Sequence, residues 1–562
     1  MYASVLVSVD GRDIRTFVRI KDSHGYKYLQ IVESVRTGTK VRQRVLATLG
    51  QVDALKQSGK LDDLTRSLAK FSTLRALVDA QRDGSIQAHR SVSIGPALVF
   101  ERLWQRLGID AVIKALGAEG RKRFPLERAI FLTVVHRLME PGSDRAAERW
   151  KEDLEIRGTD TIELHQLYRA MGWLGESIIQ LGSDPRTLRC RKDFIEEKLF
   201  KRNRDLFTQL QVVFFDTTSL YFEGQGGESL GHYGHSKDHR PDLRQMVVGV
   251  VLDGAGRPIC CELWPGNLTD VTTLIPVVTR LKERFAIGSM CVVADRGMIS
   301  AQTIQKLESA ELGLSYILGV RMHVEKEVRD GVLLSEEEFQ QVTGAKEKAD
   351  DPSPLAVREQ WVGSRRYIVC YNEDQARKDE ADRTAIVASL TEKLKAGDKS
   401  LVGNKGYRRY LKSSGPEHFT LDEEKIEHEK RFDGMWVLRT NTQLPAAEVA
   451  LKYKQLWMVE SIFRSAKTLL ETRPIYHKCD DTIRGHVFCS FLALMLRKEL
   501  ERRLESQGQK LEWDDIKRDL RALQEVEVEF QGKKMYLRTD LRGVCHAVLK
   551  AAGVAVPPTI RE

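Results

Sequence analysis

Two aspartates far apart in the chain stand where phosphoryl chemistry needs them. Asp216 closes the run Gln211-Val212-Val213-Phe214-Phe215, and Asp295 closes Met290-Cys291-Val292-Val293-Ala294. Short, continuous apolar runs read as strands buried on both faces. On neighbouring strands the two carboxylates would lie within a few ångströms and repel each other strongly in a low dielectric. A hard divalent cation relieves that repulsion. Mg²⁺ takes one or two carboxylates together with phosphate oxygens. Two such ions, about 3.5–4 Å apart, activate a nucleophile and stabilise the leaving oxygen in phosphoryl transfer. Either aspartate alone is more often a turn or cap residue; the pair, in this strand order, points to a metal site.

A third carboxylate comes from a helical pattern that opens at Leu444-Pro445, after a strand at 433–440. Tyr453, Leu456, Glu460, Arg464 and Lys467 are spaced 3, 4, 4 and 3. At about 100° per residue they share one face. The spacing predicts one helix running through Lys467, with Leu451, Met458, Ile462 and Leu469 packed on the sheet behind it. Taken by itself, such a face is ordinary solvated helix. Beside two aspartates it adds a phenol, a carboxylate, a guanidinium and an ammonium.

The elements around these residues follow a recognisable order. Strands at 211–216, 245–252 and 257–264 can form a meander. A helix from Asp270, read as its cap, to Phe285 follows, then the strand ending at Asp295, a helix at 300–312 and a strand at 315–320. That order predicts a ribonuclease-H-like α/β core. An insertion over 321–432 separates it from its last part. Within the insertion, 355–371 reads as a hairpin turning at Gly363-Ser364, 374–395 as a helix, and the rest as a charged stretch to Arg431. Trp361 is a candidate base-stacking residue, although packing within its own hairpin is the reading its setting favours. The segment 229–244 holds His232, His235, His239, Lys237 and Arg240. It reads as a loop facing nucleic acid, ahead of a plain surface loop or a zinc site.

Charge is concentrated at the N-terminus. Residues 1–50 carry nine Lys/Arg and four Asp/Glu, so they supply five of the nine net positive charges. Their alternating pattern reads as a basic β-hairpin. Arg36, Lys40, Arg42 and Arg44 could contact a DNA backbone or simply line a solvated face. From Asp53 to Phe207 the period turns helical, as in Leu55, Leu61, Leu64, Leu68, Phe71 and Leu74. This region is either a DNA-reading array or a helical shoulder. The last 60 or so residues read as helix, hairpin and helix. The 562 residues are 42% hydrophobic and 30% charged, which excludes a disordered, collagenous or disulfide-stapled chain. No apolar run approaches the roughly 18 residues of a membrane span. No two of the eight cysteines form a CxxC pair, and they read as reduced thiols of a cytoplasmic protein.

The helix residues match a known pattern. Tyr453, Glu460 and Lys467, with Ser236-Lys237-Asp238-His239-Arg240-Pro241-Asp242-Leu243, Ala294-Asp295-Arg296-Gly297-Met298 and Arg473-Pro474-Ile475-Tyr476-His477, resemble bacterial insertion-sequence DDE transposases, specifically insertion sequence family four. The resemblance covers nearly the whole chain and departs at one position, Leu456, where the family has Arg. It implies that Asp216, Asp295 and Glu460 are catalytic metal ligands for two Mg²⁺ ions, with Mn²⁺ as a substitute. It implies that Tyr453 and Lys467 contact transposon-end DNA, with Arg464 standing in for the missing Arg. Lys237, Arg240, Arg296, Trp361, Arg42 and Arg44 complete the expected DNA contacts. The expected domains are 1–52 (basic hairpin), 53–207 (helical, DNA-binding), 208–320 and 433–500 (ribonuclease-H-like core), 321–432 (β-rich insertion) and 501–562 (dimerisation). The expected function is metal-dependent cleavage at terminal inverted repeats, which frees a 3′-OH that attacks the opposite strand or target DNA. The expected assembly is a homodimer or higher oligomer on double-stranded DNA near the nucleoid, with no membrane. The alternatives are a nuclease without strand transfer and an inactive DNA-binding descendant.

Overall fold

The computed structural model describes residues 5–9, 12–37, 40–69, 81, 84, 86–118, 124–178, 189–203, 212–285, 290–322, 325–335, 337–342, 355–396, 410–415, 418–530 and 533–561. Gly38, Thr39, Phe71, Leu74, Gln211 and 397–409 lie outside the described residues, as do the side chains of Arg36 and Lys40.

The larger of two compact units comprises residues 92–524 and 539–557. Its centre is a nine-stranded mixed sheet. In chain order the strands are β1 (Val212–Tyr221), β2 (Gln245–Asp253), β3 (Pro258–Pro265), β4 (Cys291–Ala294), β5 (Ser315–Gly319), β6 (Gln340–Val342), β7 (Leu355–Val362), β8 (Arg365–Asn372) and β9 (Met435–Thr440). Their spatial order is β3-β2-β1-β4-β5-β9-β8-β7-β6. The first three form an antiparallel meander; β4 runs parallel to β1, and β5 parallel to β4. The apolar runs are continuous because both faces of the sheet are covered. Val213, Phe215 and Val292 pack on one side with Leu274, Val278 and Leu281. Phe214, Val293 and Ile317 belong to the core on the other side, with Phe488 and Leu492.

The insertion hairpin does not form a sheet of its own. β7 and β8 turn at Gly363, which has φ 60, and β8 then pairs antiparallel with β9. The hairpin thereby extends the central sheet, and a helix at Glu373–Ala396 follows it. The helix expected from Asp270 is split. A 3₁₀ turn occupies Asp270–Thr272 and the α-helix runs Leu274–Phe285. That start places Pro276 in the first turn, where its missing N–H costs no hydrogen bond.

Helices at Gly95–Arg106, Leu126–Met139 and Leu164–Gly175 pack with the long helix α3 (Asp480–Ser506). The approach is close enough to require glycine. A Cβ on Gly485 would lie 1.9 Å from the carbonyl oxygen of Met171, and one on Gly175 would lie 1.9 Å from that of Asp481. The helix Leu126–Met139 is buried along almost its whole length.

The smaller unit comprises residues 1–91, 525–538 and 558–562. The predicted hairpin is there the third and fourth strand of a four-stranded antiparallel sheet, Val5–Val9, Arg12–Ser23, Tyr26–Thr37 and Lys40–Gln51. His24 (φ 51) and Gly25 (φ 84) make the tight turn between the second and third strands. Arg42 and Arg44 are exposed, and Arg44 sits 4.0 Å from Glu33. Near the C-terminus lie a helix at Trp513–Ala522, strands at Gln524–Phe530 and Lys533–Arg538, and a helix at Cys545–Ala552. All eight cysteines are free, and seven of them are buried.

Candidate active site

The sheet register sets the acidic pair. Ala294 pairs with Phe215 across β4 and β1, so Asp216 and Asp295 are the next residues on adjacent parallel strands, whose backbones lie about 4.8 Å apart. Asp216 is half-buried. Burial pushes its carboxyl up to about 7; Lys237 and the Thr217 N–H pull the other way, and Asp295 and Asp270 add to the rise. The Thr217 N–H donates to Asp216 Oδ1 at 2.7 Å.

Tyr453 sits on helix α1 (Ala446–Lys454) and donates its hydroxyl to Asp295 Oδ1 at 2.9 Å. Burial first, then the neighbouring Asp295 carboxylate, raises its phenol. Gly319 at the end of β5 makes room for it: a Cβ there would stand 2.3 Å from the Tyr453 hydroxyl oxygen.

Glu460 is exposed on helix α2 (Trp457–Arg464). Among the described residues, no three of His, Cys, Asp and Glu lie close enough together to hold an ion. The structure therefore places Asp216 and Asp295 side by side, and it does not gather Glu460 with them into an ion-sized cage. The same holds for His232, His235 and His239.

The single helix expected through Lys467 is interrupted twice. At Leu456 and Val459 the backbone tightens, with Leu456 N–H bonding Tyr453 O and Val459 N–H bonding Leu456 O. At Ser465–Leu469 it widens into a π turn. Tightening advances the chain by more than 100° per residue, and Leu456 is buried in the core, not on the polar face. Leu451, expected against the sheet, is 37% exposed, whereas Val459, Ile462 and Phe463 are buried. Arg464 is exposed. Lys467 is held by Asp238, Nζ to Oδ1 2.8 Å, and Arg473 reaches the same carboxylate at 3.3 Å. Burial lowers the Lys467 ammonium, against the pull of Asp238.

Lys237 lies beside the acidic pair. Its ammonium donates to Thr217 O (2.7 Å) and Thr217 Oγ1 (3.0 Å) and stands 3.1 Å from Asp270 Oδ2. Arg240 is paired with Asp242 and lies over the Tyr221 ring. Arg296 is exposed immediately after Asp295. Trp361 departs from the packing expectation: it is 54% exposed, its indole N–H donates to Glu359, and it lines a cleft of about 930 Å³ with Tyr316, Arg365, Tyr367 and Arg439.

Two carboxylates at the site escaped sequence reasoning. Asp270 looked like a helix cap, yet it accepts the Thr217 hydroxyl at 2.7 Å and faces Lys237. Asp238 was hidden among the cations and histidines of its loop. Its one signal was its place directly after Lys237, in a segment rich in alternating charge.

Comparison with known proteins places this geometry in a family. A family model described as the transposase DDE domain matches residues 208–496, and one described as the N-terminal domain of IS1634 family transposases matches residues 14–80. No curated protein matches. Among solved structures, a piggyBac transposase synaptic complex with hairpin DNA aligns at 12% identity over 76% of this chain and 79% of its own, with a TM-score of 0.35. A Mos1 transposase paired-end complex aligns at 14% identity over 35% of this chain and 59% of its own, with a TM-score of 0.14.

Proposed function

The chain belongs to the transposase DDE-domain family and is a DNA transposase, an enzyme that cleaves and joins DNA strands; from that premise we propose that Asp216, Asp295 and Glu460 carry a cut-and-paste reaction on a ribonuclease-H-like core. The observation that carries the reading is the acidic pair brought side by side by the β1–β4 register: Asp295 directly follows β4, and Asp216, midway along β1, is the next residue after Ala294's partner Phe215. The strand order β3-β2-β1-β4-β5 is the order such a core requires. The spacing of Tyr453, Glu460 and Lys467 resembles the helix signature of insertion sequence family four, from which the chain departs at Leu456, buried in the core where that family has Arg.

The residues fit a hard divalent cation. The donors are all oxygens, and Asp216 and Asp295 are neighbours across paired strands, so a cation between them would relieve their mutual repulsion. Asp216 and Asp295 would hold Mg²⁺, with Mn²⁺ as a substitute, and Glu460, on the solvent-facing side of α2, would complete the set when DNA is bound. When bound, two such ions supply activation of the attacking oxygen and stabilisation of the leaving one.

This chain's own side chains do the rest by position and charge. Tyr453 orients Asp295 through its hydroxyl. Lys237 meets the scissile phosphodiester. Lys467, delivered by Asp238, and the exposed Arg464 bind the flanking backbone, with Arg240 and Arg296 beside them. Trp361 offers an exposed indole to an unstacked base. Water cleaves the phosphodiester at the transposon end and frees a 3′-OH; that hydroxyl attacks a phosphate of the opposite strand or of target DNA, a new P–O bond forming as the bond to that phosphate's 3′ oxygen breaks, so no covalent link to the protein forms. Arg42 and Arg44 bind the terminal repeats, and two or more copies bring the ends together through residues 501–562.

The test is Glu460→Gln, with end-binding and cutting measured separately on a duplex carrying the terminal repeat. Binding and the circular-dichroism spectrum stay as in the wild type, and Mg²⁺-dependent cutting falls by at least about 100-fold. Undiminished cutting would remove Glu460 from the reaction.

A further inference from the structure

We propose that Asp270 is a positioning residue for strand cleavage: it fixes the Lys237 ammonium against Thr217, beside Asp216, where that ammonium meets an oxygen of the phosphodiester being cut. The inference rests on the reading of Asp216 and Asp295 as the cutting site.

The contacts form a closed ring. The Thr217 hydroxyl donates to Asp270 Oδ1 at 2.7 Å, Lys237 Nζ stands 3.1 Å from Asp270 Oδ2, and the same Nζ donates to the Thr217 carbonyl at 2.7 Å and its hydroxyl oxygen at 3.0 Å. Thr217 in turn gives its backbone N–H to Asp216. A lysine ammonium has three protons; two are donated to Thr217, and Asp270 Oδ2 holds the charge as an ion partner, which leaves a proton for an arriving oxygen. The Lys237 backbone N–H is tied to Ser219 Oγ at 2.8 Å, which fixes the base of the side chain to β1. Lys237 and Asp270 are 31% and 26% exposed, so the ring faces solvent at the mouth of the site and does not sit sealed in the core.

A free lysine is a flexible point charge. An arriving phosphate oxygen needs that charge in one place before the charge on phosphorus develops. Asp270 provides that constraint through both oxygens, one on the ammonium and one on the threonine that also holds it. The 3₁₀ turn at Asp270–Thr272 packs against the turn at Arg296–Met298 that follows Asp295. Gly297 in that turn lies close to Asp270: a Cβ on it would stand 3.8 Å from Asp270 Oδ2, an ordinary contact. Asp270 is thus built into the same corner as the acidic pair.

The rival account is that the ring merely staples the 229–244 loop to the sheet. A double-mutant cycle on the full chain separates the two. Asp270→Ala, Lys237→Met and the double variant are compared in single-turnover cleavage of an end duplex in Mg²⁺, alongside end-binding by fluorescence anisotropy and thermal unfolding. Each single variant is expected to cut about 30- to 100-fold more slowly with end affinity within about threefold, and the double variant no more slowly than the worse single one. Asp270→Glu, which can restore the ammonium contact, recovers most of the rate. The proposal is overturned if Asp270→Ala cuts at the wild-type rate. It is also overturned if the two defects multiply, or if the loss of cutting follows a loss of thermal stability. If the alanine variant does not fold, Asp270→Asn and Lys237→Arg are run through the same cycle with the same criteria. Asp216→Asn in parallel tests the underlying reading: if it cuts normally, that reading fails whatever the cycle shows.

Discussion

Asp216 is the residue on which the chemistry and the stability of the site conflict. Its carboxyl is pushed up to about 7 from an ordinary value of 3.8, chiefly by burial. The folded chain therefore favours the protonated form. The stability this confers is complete below about pH 4 and is lost as the pH rises through 7. Asp216→Asn has no such charge to bury. In EDTA it should match the wild type at pH 4 and exceed it at pH 8.5, by at most about 4 kcal/mol, read from denaturant titrations at the two values. An equal difference at both would show that burial of charge is not the cause. At this scale much was legible in the sequence. Asp216 and Asp295 stood out because each ends an apolar run, and an apolar run is the direct trace of a buried strand. Asp270 and Asp238 were not legible, because their partners, Thr217 with Lys237 and Lys467 with Arg473, are brought to them only by the fold.

At the scale of elements, the helix carrying Glu460 shows where pattern reading stops. The spacing of Tyr453, Glu460 and Lys467 is visible in the chain, but a spacing becomes a face only if the backbone keeps one pitch. The tightening at Leu456 and the π turn at Ser465–Leu469 change that pitch twice, so Leu456 turns into the core and Leu451 out of it. The insertion was similarly half legible. Its hairpin and helix follow from local signals, whereas the pairing of β8 with β9 joins segments more than 60 positions apart and leaves no local trace. Close helix contact is another such case. With 1.9 Å between a Gly485 Cβ and the Met171 carbonyl, Gly485→Val must force α3 away from the helix Leu164–Gly175. The expected cost is at least about 3 kcal/mol, read as a lowered unfolding midpoint or as insolubility. A midpoint within a degree of the wild type would mean that the helices do not touch as described.

At the scale of the whole molecule, the chain divides its work between two units. The larger holds the nine-stranded sheet and the residues proposed to cut, and the smaller holds the basic four-stranded sheet. No helix among the described residues is long and apolar enough to cross a membrane. The charge imbalance of residues 1–50 made the basic segment legible; its four strands were less so, since only the third and fourth alternate cleanly. If Arg42 and Arg44 bind phosphate, replacing both with alanine weakens end-binding and lowers the slope of log affinity against log salt by about 2. Measured from about 50 to 200 mM salt, an unchanged slope would assign these arginines to a solvated face.

The position of β9 has a consequence for the newborn protein. This strand, Met435–Thr440, lies inside the sheet between β5 and β8, and the helices bearing Tyr453 and Glu460 follow it. A chain emerging from the ribosome therefore exposes Asp216 and Asp295 well before it has made the strand and helices that finish the site. Domains fold as their last element appears, at roughly 5–20 residues per second. Between Asp295 and Glu460 that is a delay of some ten to thirty seconds, during which the proposed site is incomplete.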